Sequence, residues 1–125
     1  NMGDRRVAEI KTEDGSLFFY THWAGFNLQE HAELALDDAS SRRGDDGYAL
    51  KIVLDSLIKR VDGRDTEYNA GIYLQAYNED GIFILEDEYG HGNSPSMIID
   101  LRQDRWEVYD LTQVADTWTY NRINK

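Results

Sequence analysis

Leu50, Val53, Leu54, Leu57, Ile58 and Val61 recur at i, i+3, i+4, i+7, i+8 and i+11 without a miss, and this series constrains the chain more than any other feature. Only a helix gathers that spacing onto one face. Lys51, Asp55, Lys59 and Arg60 fall on the other side. The helix must therefore lie on a core, with its polar side in water. Gly44-Asp45-Asp46-Gly47 precedes it and Asp62-Gly63 closes it, as helix punctuation requires. The pattern predicts burial of Leu50, Leu54, Leu57 and Val61 against a sheet.

A second helix is signalled upstream. Asn27 is the expected N-cap, and Glu30 three residues on completes an Asn-x-x-Glu variant of the capping box. Leu28, Ala32, Ala35, Leu36 and Ala39 share one face, Glu30, Glu33 and Asp37 the other, and Arg42, Arg43 and Gly44 end it. The remainder reads as β. Segments 6–12 and 16–22 flank Glu13-Asp14-Gly15, and 70–77 and 82–86 flank Asn78-Glu79-Asp80-Gly81. Segments 97–101 and 106–111 flank the polar turn Arg102-Gln103-Asp104-Arg105. Val7 and Ile10 do not alternate, which suggests a bulge or a late start. The unbroken run Leu17-Phe18-Phe19-Tyr20 predicts a strand covered on both sides. Residues 112–120 fit either a short helix capped by Thr112 or a last strand. The order β-β-α-α-β-β-β-β predicts a single α+β domain over 1–125, a mainly antiparallel sheet with two helices on one face.

A length of 125 residues suits one core. The chain has no cysteine, which removes disulfides, thiolate metal sites and a cysteine nucleophile. No apolar run approaches a membrane span and residues 1–6 lack a signal peptide's apolar core, so the expected compartment is the cytoplasm and no membrane partner is expected. Asn1, ahead of Met2, reads as the remnant of an expression tag. Formal net charge is −11, unevenly spread. Between Asp65 and Leu101 there is no Lys or Arg, yet Asp65, Glu67, Glu79, Asp80, Glu86, Asp87, Glu88 and Asp100 all lie there. Direct nucleic-acid binding is disfavoured, because phosphate affinity needs clustered bases. A solubilising surface is the plain explanation of such a stretch; a face for a basic partner is the functional one.

Two segments carry candidate chemistry. Tyr20-Thr21-His22-Trp23-Ala24-Gly25-Phe26 joins a strand to a helix. An aromatic strand ending in Thr-His-Trp, then a small residue, Gly and a helix, resembles a group of small uncharacterised bacterial and phage proteins. The resemblance covers the first hairpin and helix and implies no activity. His22 and Trp23 would stand at a helix N-terminus, a position suited to anions. The structural alternative has Trp23 and Phe26 anchoring the helix on the sheet, with Phe26 stapled to His31. The other segment is Glu86-Asp87-Glu88-Tyr89-Gly90-His91-Gly92-Asn93-Ser94. Carboxylates, a His and glycines are ingredients of a cation site, but the spacing matches no metal motif, and neighbouring acids on a strand point to alternate faces. A solvated loop is the ordinary reading. His31 and Asp38, two helical turns apart, make no acid–base pair, and Asp38 with Arg42 at i+4 reads as helix support. Ser94 and Ser96 lie near His91 but in no nucleophile elbow.

Three functions fit, in this order. The first is a non-enzymatic interaction module whose face includes Tyr73, Tyr77, Glu79, Asp80, Glu86, Asp87, Glu88, Tyr89 and His91. Its partner would be another protein, basic in character, and a homodimer also fits. The second is a nucleic-acid mimic, whose acids would line a ridge at phosphate spacing. The third is a small hydrolase or metal-dependent enzyme using His22 or His91, with His22, Trp23 and His31 as the alternative site. No cofactor, metal ligand set or catalytic residue is assigned.

Overall fold

The computed structural model describes residues 3–61 and 69–125. Strands β1 (Arg6–Thr12) and β2 (Gly15–Thr21) form the first hairpin. Thr12 pairs with Gly15, so the turn is only Glu13-Asp14; the Thr12 hydroxyl donates to the Gly15 carbonyl and accepts from the Asp14 N–H. Gly15, at φ 139°, takes the conformation that a side chain would resist. A 3-10 turn (Gly25–Asn27) leads into α1 (Leu28–Asp38), and a second one (Ser40–Arg42) separates it from α2 (Asp46–Val61). Four strands follow: β3 (Ala70–Tyr73), β4 (Met97–Asp100), β5 (Glu107–Val114) and β6 (Thr117–Arg122).

The six strands form one sheet in the order β3-β2-β1-β4-β5-β6. All neighbours are antiparallel except β1 and β4 at the centre, which run parallel from Ala8↔Met97 to Lys11↔Asp100. The fold is thus α+β with a mostly antiparallel sheet, as the element order predicts. Both helices cover one face. Ala8, Ile10, Phe19, Met97, Ile99 and Val108 meet Leu28, Ala32, Leu36, Val53 and Leu57 in the main core. On α2 the buried line is Ala49, Val53, Ser56 and Leu57, while Leu50, Leu54 and Val61 are half-buried. The predicted stripe is rotated toward Ala49 and Ser56, whose small side chains let α1 approach. The closing Asp62-Gly63 lies outside the described residues.

Two sequence expectations need correction. Segment 70–77 stops pairing at Tyr73, and segment 82–86 is no strand; a lone bridge joins Tyr77 to Phe83. The Asn78-to-Gly81 turn does form: Asn78 exchanges backbone bonds with Gly81 and Ile82, its side chain accepts the Asp80 and Ile82 N–H groups, and Gly81 sits at φ 76°. This hairpin-like arm leaves the sheet edge and lies across the face opposite the helices, where Ala76 and Phe83 pack on Val7 and Phe18, with Tyr20 and Leu85 beside them. Both faces of the β2 apolar run are therefore covered. The tail settles as a strand, since Ala115-Asp116 turns the chain and β6 pairs with β5 from Val114↔Thr117 to Tyr109↔Arg122.

Candidate functional site

The residues at the β2–α1 junction are held from outside the segment. Asn27 makes no side-chain cap. Asp4 does that work instead: its carbonyl accepts the Gly25 N–H at 2.9 Å and its carboxylate the Phe26 N–H at 2.8 Å. The Thr21 hydroxyl accepts the Ala24 N–H, and the Asn69 side chain accepts the Trp23 N–H. The donors that an anion would need are taken by the protein's own oxygens. Nor do the aromatics anchor the helix, since Trp23 is 56% and Phe26 77% exposed. Trp23 stacks edge-on with His22, and the His22 Nδ1 bonds the Tyr20 hydroxyl at 2.8 Å. His31 is half-buried with Nδ1 unpaired, and burial beside the Arg60 guanidinium holds its pKa below the usual 6.5. Asp38 bonds Ser56 and Arg60 on α2 rather than Arg42, which stacks on Tyr48.

The 86–94 segment is not a solvated loop throughout. The Asp87 side chain turns inward and accepts the N–H groups of Val7, Ser96 and Tyr89 at 2.9–3.1 Å. It thereby spans the mouth of the β1–β4 seam. Burial pushes its pKa up, and those N–H groups pull it back. Tyr89 donates its hydroxyl to the Asp4 carboxylate, which raises its pKa to about 12, and its ring lies 4.9 Å from the Arg6 guanidinium. Arg6 is buried; it donates to Ser96 Oγ at 2.8 Å and pairs with Asp110, which also accepts from Gln29. These groups tie the chain that leaves the arm, from Asp87 to Ser96, to β1, β5 and the first turn of α1.

The acids of the arm do not share one face. Glu86 and Glu88 both pair with Arg5, at 2.8 and 3.3 Å. Asp100 is 3% exposed and held by Arg102. Glu79 and Asp80 have no ion-pair partner among the described residues, and Asp65 and Glu67 lie outside them. His91 is exposed and stacks on Trp118 at 5.5 Å. Its Nδ1 accepts the Asn93 N–H, so in the neutral ring the proton is on Nε2, which faces Ser94 Oγ at 3.1 Å. In that tautomer His91 donates to Ser94 and cannot serve as its base. Among the described residues no three His, Asp or Glu side chains are grouped to hold a metal.

Exposed apolar side chains gather along β3 and the arm. Ile72, Tyr73, Leu74, Tyr77, Ile82 and Ile84 are all exposed within thirteen residues, with Leu74 the most at 77%. Tyr73 and Tyr77 were sequence candidates; the four aliphatic residues were not. Ile82 and Ile84 alternate with buried Phe83 and half-buried Leu85, a period of two that sequence reading assigned to a paired strand. β3 is an edge strand, hydrogen-bonded to β2 alone among the described residues, so every second N–H and C=O of its outer side faces outward. No helix among the described residues is long and apolar enough to cross a membrane. No family model, no curated protein and no solved structure matches the chain.

Proposed function

We propose that this chain is a protein-interaction domain that takes up an extended segment of a partner along β3 and the arm. The observation that carries the reading is the coincidence of a sheet edge with no further strand among the described residues and six exposed apolar side chains from Ile72 to Ile84, Ile72 on the helix side of β3 and Tyr73 on the arm side. Isolated exposed apolar residues are ordinary, but a contiguous group marks a contact surface. An added strand would bond to the outer groups of β3, and its alternate side chains would meet Ile72 and Leu74. Glu79 and Asp80, unneutralised at the tip of the arm, favour a partner whose apolar residues alternate with Lys or Arg. Cytoplasmic proteins with such segments are the natural candidates.

A photo-crosslinking amino acid placed at Leu74, and separately at Ile84, tests this in host lysate. Both positions should capture the same polypeptide, and a peptide of alternating apolar and basic residues from the captured region should bind the purified domain. Leu74→Lys and Asp80→Lys should each weaken that peptide's binding about tenfold or more. Equal crosslinking from Tyr48 on α2, or peptide binding indifferent to both substitutions, would overturn the reading. Self-crosslinking with a dimer mass in solution would replace it with pairing of two β3 edges.

A further inference from the structure

Over β4, β5 and β6 the sheet face opposite the helices carries a groove of about 260 Å³ at the end nearest the β4–β5 turn. Its floor is Ile98, Tyr109 and Tyr120, all half-buried, so apolar and ring surface remains open to water. Asp100 and Glu107 also line it, but both are already engaged. Arg102 holds Asp100 through two bonds at 2.9 and 2.7 Å. Arg122 holds Glu107 at 3.0 Å, and the Tyr109 hydroxyl donates to the same carboxylate at 2.8 Å. Two cations are left over: the side chains of Lys11, from β1, and Arg105, from the turn, have no ion-pair or hydrogen-bond partner among the described residues. Glu13 and Asp104 stand outside the lining, near Arg102, and Glu13 accepts the Gln103 N–H.

We propose that this groove binds a phosphate monoester carried on a planar ring, in the manner of a nucleoside monophosphate. The phosphate lies between Lys11 and Arg105, and the ring lies against Tyr109 and Tyr120. Two cations of different shape without an ion pair among the described residues, Lys11 in the field of Asp100, match the near-double charge of a monoester better than the single charge of a carboxylate. The Arg102 fork, the natural partner for a carboxylate, is already spent on Asp100. Tyrosine surface beside the cations supplies stacking area for the ring. The volume, about 260 Å³, falls just below the range of ligand cavities, which run from roughly 300 Å³ upward, so only a small ligand fits. A net charge of −11 also repels a polyanion at long range far more than it repels a single nucleotide. This surface is separate from β3 and does not depend on the partner proposed there.

Titration of the ¹⁵N-labelled domain with uridine or adenosine monophosphate tests the proposal, beside arms with the nucleoside, inorganic phosphate and a short single-stranded oligonucleotide. The monophosphate should shift the amides of Lys11, Arg105, Tyr109 and Tyr120, and should bind about tenfold more tightly than nucleoside or phosphate alone. Binding should weaken with salt. The double variant Lys11→Gln/Arg105→Gln should bind at least about tenfold more weakly with a nearly unchanged melting temperature, since neither side chain has an ion pair or hydrogen bond among the described residues to lose. No shift at up to about 10 mM ligand, shifts mapping elsewhere, or affinity untouched by the double variant would overturn it. Phosphate binding as well as the monophosphate would remove the ring from the site. Tighter binding of the oligonucleotide on the same amides would replace a small ligand by a nucleic-acid strand.

Discussion

The Arg6 guanidinium and the Asp110 carboxylate form a buried ion pair although their strands, β1 and β5, are not neighbours; β4 runs between them. The pair closes over the point where β4 begins, with Ser96 Oγ as a further acceptor for Arg6 and Gln29 as a further donor to Asp110. Removing Arg6 leaves the Asp110 carboxylate buried with Gln29 as a neutral donor, and removing Asp110 leaves the Arg6 guanidinium buried with only the charges of Asp87 and Asp4 to face it. Arg6→Met and Asp110→Leu should each cost about 3–5 kcal/mol in urea denaturation. The double variant Arg6→Met/Asp110→Leu should cost less than the sum of the two. Additive costs would show that the two groups act independently.

On α2 the burial line separates two leucines that the sequence treats alike. Leu57 is fully buried and Leu54 half-buried. Leu57→Ala should lose about 2–5 kcal/mol and Leu54→Ala about half as much, read from denaturation midpoints at constant m. An inverted order would mean that the helix is rolled about its axis relative to the packing described.

His31 gives stability a pH dependence. Its folded-state pKa lies below the ordinary 6.5 because the ring is desolvated and faces Arg60 from α2, with Glu30 on α1 opposing that shift more weakly. Between the folded-state pKa and 6.5 the unfolded chain binds more protons, so this group lowers stability as pH falls through 6.5. His31→Gln should flatten that part of the stability–pH curve and leave the curve above it unchanged. Thermal melts from pH 7.5 down to about pH 5 measure it.

The 86–94 segment should show no tight cation binding. Asp87 spends its oxygens on three N–H groups, and Glu86 and Glu88 are shared with Arg5. Calorimetric titration with Ca²⁺, Mg²⁺, Mn²⁺ and Zn²⁺ should give no heat attributable to this segment. Micromolar affinity lost in Asp87→Ala would require those hydrogen bonds to yield to a metal.

The sequence reports local relationships faithfully and distant ones hardly at all. The α2 series and the Thr12–Gly15 turn depend on neighbours within a few residues, and both form. Asn27 has the composition of a cap, but Asp4, more than twenty residues earlier, reaches the helix end first. Gly25 reflects the same meeting: a Cβ there would stand 2.5 Å from the Asp4 carbonyl. Alternation in Ile82-Phe83-Ile84-Leu85 records one wet and one dry side, which an arm lying on a sheet satisfies as well as a ladder does. Charge counting also ignores direction. Asp87 and Asp100 belong to the acidic stretch in sequence, yet they serve as internal acceptors. The groove residues Lys11, Arg105, Tyr109 and Tyr120 come from β1, a turn, β5 and β6, and no spacing announces them.

The single parallel pairing has a kinetic consequence. Hairpin β1–β2 and the meander β4-β5-β6 each close over short stretches of chain, and β3 reaches β2 across both helices, from Thr21 to Ala70, whereas the seam between hairpin and meander joins Ala8 to Met97. Bringing those residues together fixes a loop of nearly ninety residues, an entropy cost that must be met before the seam's contacts return anything. The hairpin and the meander can thus form early, and their docking becomes the slow step. Until then the β1 and β4 margins stand unpaired, which makes the half-docked chain the species most exposed to swapping β4-β5-β6 with a second molecule.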